Sequence, residues 1–236
     1  MESKETSGQL SNKGREFLYT VEQVEAGVSA QFLAENGQQV EVWLEAIGLL
    51  LKCFECKSGV LGSANEIASK QLVYVTTFVQ GVSATTRCIM YGHYAKAVAM
   101  LKQDVEIFAR VREIAKGSDV EGSTPNIKHL PEGFRMLYGA LNNLAHPGNT
   151  DLLEELLENV ELDNELGVGL SPIPVFNSGT AKGLCEFHVH LCFQMAREFL
   201  IMLARMHSPH DVALQRLLVD VNLLADRIKV VLKPTE

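Results

Sequence analysis

Apolar residues recur at steps of three and four through most of this chain, and small or polar residues interrupt them often enough to mark a succession of helices. Residues 1 to about 12 are small and polar and are expected to fray. Leu18, Val21, Val24, Val28 and Phe32 then place one apolar face on a helix between Arg15 and Ala34. Asn36 and Gly37 break it. Val40, Trp43, Ile47, Leu50 and Phe54 predict a second helix, and Leu49 and Leu51 widen its apolar face so far that most of it must be covered. Ser63 and Glu66 have the spacing of a capping box ahead of a long third helix reaching about Tyr91, with Gly81, Thr85 and Thr86 weakening its middle.

After a turn at Gly92 and His93, Tyr94, Val98, Leu101, Val105, Phe108 and Ala115 form the next stripe. Lys102, Glu106 and Arg110 follow one another at four residues on the opposite side, as surface support. Gly117 suits a helix stop, and residues 117–130 read as an exposed loop. Phe134, Leu137, Tyr138, Leu141 and Leu144 mark a further helix that Pro131 can open and Pro147 closes, leaving His146 at or just past its last turn. A short helix capped by Asn149 or Thr150 is expected through Leu152, Leu156 and Val160, followed by an irregular or short extended piece in LGVGLSPIPVFNSG. Thr180 is the expected cap of a long helix carrying Leu184, Phe187, Leu191, Met195, Phe199, Met202 and Met206. Ser208, Pro209 and Asp211 announce a last one, with Leu214, Leu217, Val221, Leu224, Ile228 and Val231 as its stripe. No strong strand pattern and no fixed-period repeat appears. The expected architecture is all-α, a multi-helix bundle of about seven to eight helices.

Composition narrows the class. At 236 residues the chain can bury a sizeable core, and a net charge of −8 argues against broad nucleic-acid binding while leaving room for a local basic patch. Five cysteines do not make a secreted disulfide framework, the opening residues lack the apolar core of a signal peptide, and no apolar run has the length of a membrane span. An intracellular, cytoplasmic protein with no membrane partner is expected. From Asp151 to Glu165 there are seven acids and no base, which is most simply a solvated face.

Several chemistries lack their residues. There is no phosphate loop, no dinucleotide fingerprint, no nucleophile elbow, and no Glu-x-x-His pair for a di-iron bundle. Cys53 and Cys56 have the spacing of half a zinc site, and Cys185, His188 and Cys192 share a helix face at three and four residues. Small buried cysteines beside an apolar stripe are the plainer reading of both sets, and His190, flanked by Glu186 and Gln194, reads as a surface histidine. No metal and no cofactor is expected. The polar residues with the best placement for chemistry are Asn142 and His146, one turn apart at the end of the central helix, where the carbonyl ends favour an imidazolium.

The stretch from about Leu72 to His146 resembles the HEPN (higher eukaryotes and prokaryotes nucleotide-binding) helical domain: a long helix, a short turn at Tyr91-Gly-His-Tyr94, a second charged helix with Glu106, and a later helix closing in a polar residue and His146-Pro147. The resemblance implies a four-helix core, completed by the helix from Thr180. It divides the chain into a flexible 1–12, an N-terminal helical pair at 13–62, and a HEPN-like bundle at 63–236 with a Gly/Pro-rich insertion near 163–180. Ribonucleases of this family carry an arginine ahead of the polar residue and histidine, and two such motifs meet across a dimer. Here Asn142 and His146 match, and Leu141 stands where the arginine would be. Leucine can neither hold phosphate nor stabilise its charge. The expectation is a noncatalytic HEPN-like binding or interaction protein, self-associating as a homodimer, with Asn143, Arg135, Arg87 and Tyr138 available to a ligand. The alternative is a metal-independent ribonuclease of a defence or toxin system, binding RNA and using His146 and Asn142, with Arg135 or Arg87 replacing the missing cation in space.

Overall fold

The computed structural model describes residues 2–56, 66–145, 158–161, 168–170, 172–208 and 210–232. Seven α-helices lie among them: α1 (Glu2–Glu35), α2 (Gly37–Cys56), α3 (Glu66–Met90), α4 (Tyr94–Ala115), α5 (Glu132–Leu144), α6 (Ser178–Met206) and α7 (Val212–Val231). The architecture is all-α. Two short strands, Glu158–Glu161 (β1) and Val168–Leu170 (β2), pair antiparallel with an irregularity between Glu158 and Val160; β2 lies in the stretch expected to be irregular or short and extended, and β1 corrects the expected helix. Val160, expected at the end of a short helix, therefore lies in a strand, consistent with the extended preference of its β-branched side chain. The rest of that expected helix, and the capping serine Ser63, lie outside the described residues.

Helix α6 is the axis of the core. Cys185, His188, Val189, Leu191, Cys192, Met195 and Ala196 are all without exposure, so α6 is covered on more than one side, by α2, α3, α4 and α7. Aromatic contacts show how the neighbours are seated. Trp43 of α2 meets His188 edge-on at 5.1 Å and Phe32 of α1 at 6.5 Å, and Phe54 meets Phe199 at 4.5 Å. Phe134 of α5 sits between Phe108 of α4 and Phe187 of α6, 5.6 Å from each. Burying a side chain of this size is worth roughly 1.5–3 kcal/mol, so these rings hold the layers together.

The turn between α3 and α4 is where several elements meet. Gly92 adopts φ 80°, and a Cβ there would stand 2.8 Å from the Val175 carbonyl and 3.1 Å from Val28. Only glycine allows both the backbone conformation and this approach. His93 pairs with Glu25 of α1 at 2.7 Å, and the Tyr94 hydroxyl accepts from the Asn177 N–H at 3.0 Å. The same asparagine caps α6, its side chain accepting from the Thr180 N–H at 2.9 Å, so the cap is Asn177 and not Thr180. At the last helix the cap is likewise Asp211, which accepts from Ala213 and Leu214.

Helix α1 begins at Glu2, well before its apolar stripe, and only Val28 and Phe32 of its described side chains are buried. Asn36 is buried between α1 and α2, donating to the Phe32 carbonyl at 3.1 Å, which makes the break between these helices a single residue.

Candidate functional site

Helix α5 carries the residues to which the sequence points. Phe134 and Leu141 face the core; Arg135, Tyr138 and Asn142, at steps of three and four, run along one edge. On this polar edge the Tyr138 hydroxyl donates to Glu106 Oε1 at 2.7 Å, and Lys102 reaches the same carboxylate oxygen at 3.4 Å. Burial, then the Glu106 carboxylate, push the Tyr138 hydroxyl up to about 12, so it stays protonated and donating. Arg135 is exposed, Asn142 half-buried and Asn143 exposed. The helix ends at Leu144, with the Ala145 N–H bonded to the Leu141 carbonyl at 2.8 Å. His146 lies outside the described residues.

The other edge of α5 is apolar. Leu137, Ala140, Leu141 and Leu144 form one wall of a groove of about 380 Å³, and Val98 of α4 with Thr180, Leu184 and Phe187 of α6 stand opposite. Gly179 and Gly183 lie one turn apart on the α6 side of the groove, where a Cβ at Gly183 would meet open space. Leu141 is 6% exposed and part of the core. Arg87 sits over the Tyr91 ring, 5.7 Å from its centre, at the end of α3. Among the described residues no hydrogen bond or ion pair joins Arg87 or Arg135 to Asn142.

Two polar clusters escaped the sequence reading. The first is within the α3–α4–α6 interface, where the Thr85 hydroxyl donates to Asp104 Oδ2 at 3.0 Å. Burial raises the Asp104 carboxyl to about 6, with the Thr85 bond acting in the opposite sense. Its signal was available: Asp104 stands three residues after Leu101 and four before Phe108, on the apolar stripe itself. His188 is fully buried with neither ring nitrogen hydrogen-bonded, and desolvation lowers it to about 3, which keeps it neutral. Burial pushes the neighbouring Cys192 thiol well up, and the Cys185 and Cys53 thiols up to about 12, so none is a thiolate. His190, expected at the surface, is half-buried, and burial lowers it as well.

The second cluster corrects the reading of Arg110 as a surface residue. Arg110 is buried, pairs with Glu113 at 2.9 Å, and donates to the carbonyls of Val120 (3.2 Å) and Ser123. Glu113 accepts from the Asn126 N–H at 2.6 Å. The pair thus pins residues 117–126 against α4, with Gly117 and Gly122 supplying the positive φ angles of 62° and 73°. All of the arginine's contacts are internal, which makes its role structural.

Among the described residues no group of three or more His, Cys, Asp or Glu side chains is arranged to hold a metal ion, and no helix is long and apolar enough to cross a membrane. Comparison with known proteins finds no matching family model, no matching curated protein and no matching solved structure.

Proposed function

We propose that this chain is a noncatalytic HEPN-like helical protein that works by association, pairing with itself and using the apolar groove beside α5 as its ligand-facing surface. The observation that carries this reading is Leu141. It occupies the arginine's place in the motif, is buried, and lines the groove, so the helix end presents apolar surface where a phosphate would need a cation. The polar edge adds support: the Tyr138 hydroxyl is already committed to Glu106, an internal bond that leaves its proton unavailable to a phosphate. Asn142 and His146 then serve the helix end and its contacts, not bond cleavage.

The test is cleavage of a mixed set of labelled RNAs, with chelator present, by the purified protein and by His146→Ala. The expected result is no cleavage by either. Cleavage by the wild type that disappears in the variant would overturn the proposal and establish a metal-independent nuclease.

A further inference from the structure

Helix α7 is apolar on two faces. Leu214, Leu217, Val221, Leu224 and Ile228 are buried against the bundle, yet Val212, Val219, Leu223 and Val230 on the outer side are 57–69% exposed. At about 100° per residue, these four and the charged Arg216 and Asp226 all fall within about 40° of the line opposite Val221. They form one stripe running the length of the helix. A row of large apolar side chains in water is the signature of a surface that meets a partner.

The order of residues along the stripe says which partner. Read outward from position 221, it is symmetric: Val219 and Leu223 stand two residues away on either side, Arg216 and Asp226 five, and Val212 and Val230 nine. Laid antiparallel on a second copy about that centre, Val219 meets Leu223, Val212 meets Val230, and Arg216 meets Asp226. Two-fold symmetry then makes each of these contacts twice. A parallel pairing would set Arg216 against Arg216 and Asp226 against Asp226, which repels. We infer that the outer face of α7 is a self-complementary docking surface for a second copy of this chain, packed antiparallel about Val221. The inference rests on the self-association proposed above and assigns it a place.

The surroundings suit this use. Lys52 and Asp220 pair at 2.9 Å and Glu45 pairs with Arg227, both between α2 and α7, so the charges beside Leu223 are already matched within the chain. Asp226 bonds Lys229 at 2.9 Å, but both side chains are more than two-thirds exposed and such a surface pair is readily exchanged. The contact of one helix with its copy falls at the small end of specific interfaces, so the dimer is expected to be reversible.

The experiment is sedimentation velocity of the full chain over a range of concentrations, for the wild type, Arg216→Asp, Asp226→Arg and the double variant. All substituted positions are exposed, and unchanged melting midpoints confirm that folding is intact. The wild type should dimerise. Each single reversal places like charges together twice and should weaken dimerisation at least about tenfold, whereas the double variant restores opposite charges and should recover it. A wild type that is monomeric throughout would overturn both this surface and the self-association reading. A dimer indifferent to the single reversals, or a double variant no better than the singles, would overturn the α7 surface alone and place the dimer contact elsewhere.

Discussion

The hydroxyl of Thr85 donates to the carboxylate of Asp104 across 3.0 Å inside the interface of α3 and α4, and both residues are almost without solvent contact. A buried carboxylate that loses such a donor is left with its desolvation cost. Thr85→Val, close in shape, should therefore destabilise the fold by about 1–3 kcal/mol at neutral pH. The loss should shrink below about pH 5, where Asp104 holds a proton. Urea midpoints at pH 7 and pH 4.5 check this, and an equal loss at both would deny the bond its electrostatic role.

Asp104 and His188 give stability opposing dependences on pH. Asp104 has a folded value near 6 against 3.8 for the free side chain, so the folded chain binds more protons between them and stability falls as pH rises through this window. The full effect is on the order of 3 kcal/mol. His188, near 3 when folded against 6.5 when free, binds fewer protons in the folded chain, so its contribution is complete above 6.5 and is lost as pH falls. His190 acts in the same sense as His188. From about pH 4 to 6 the slopes oppose. Asp104→Asn should leave a stability that climbs with pH across this range, and His188→Phe should make it climb less or fall. Profiles identical to the wild type in both variants would contradict the assignment.

The Arg110–Glu113 pair offers a local readout. Each side chain is 7% exposed or less, and removing one leaves the other charge buried without its partner. Arg110→Ala or Glu113→Ala should cost about 3–5 kcal/mol, and the double variant less than the sum. Amide exchange should accelerate first in residues 117–126. A loop whose protection survives Arg110→Ala would show that the arginine is not what pins it.

Caps separate what could be read in the sequence from what could not. Asn177→Ala should cost about 1 kcal/mol while Thr180→Ala costs little, and Asp211→Ala should likewise exceed Ser208→Ala, as thermal midpoints will show. All four residues have cap-forming side chains, and the choice depends on where the backbone turns, which tertiary contacts decide: Asn177 is fixed by Tyr94. The apolar stripes, by contrast, were legible because each helix has a face to bury. The periodicity located the bodies of α2 to α7, and the turn at Gly92 followed from its glycine. Arg110 was misplaced because periodicity reports which face a charge occupies on its own helix and cannot see a loop folding back over it. Asp104 was visible as a polar residue on an apolar stripe, but its partner Thr85 lies on another helix. Helix α5 and its apolar face were legible too; the groove was not, because its second wall comes from α6, far along the chain.

The proposed self-association should show in the mass of the wild-type protein in solution, measured by light scattering across a wide range of concentration. A rise from the 26.0 kDa of one chain to twice that value is the predicted result. A mass that stays at one chain at every concentration would contradict it.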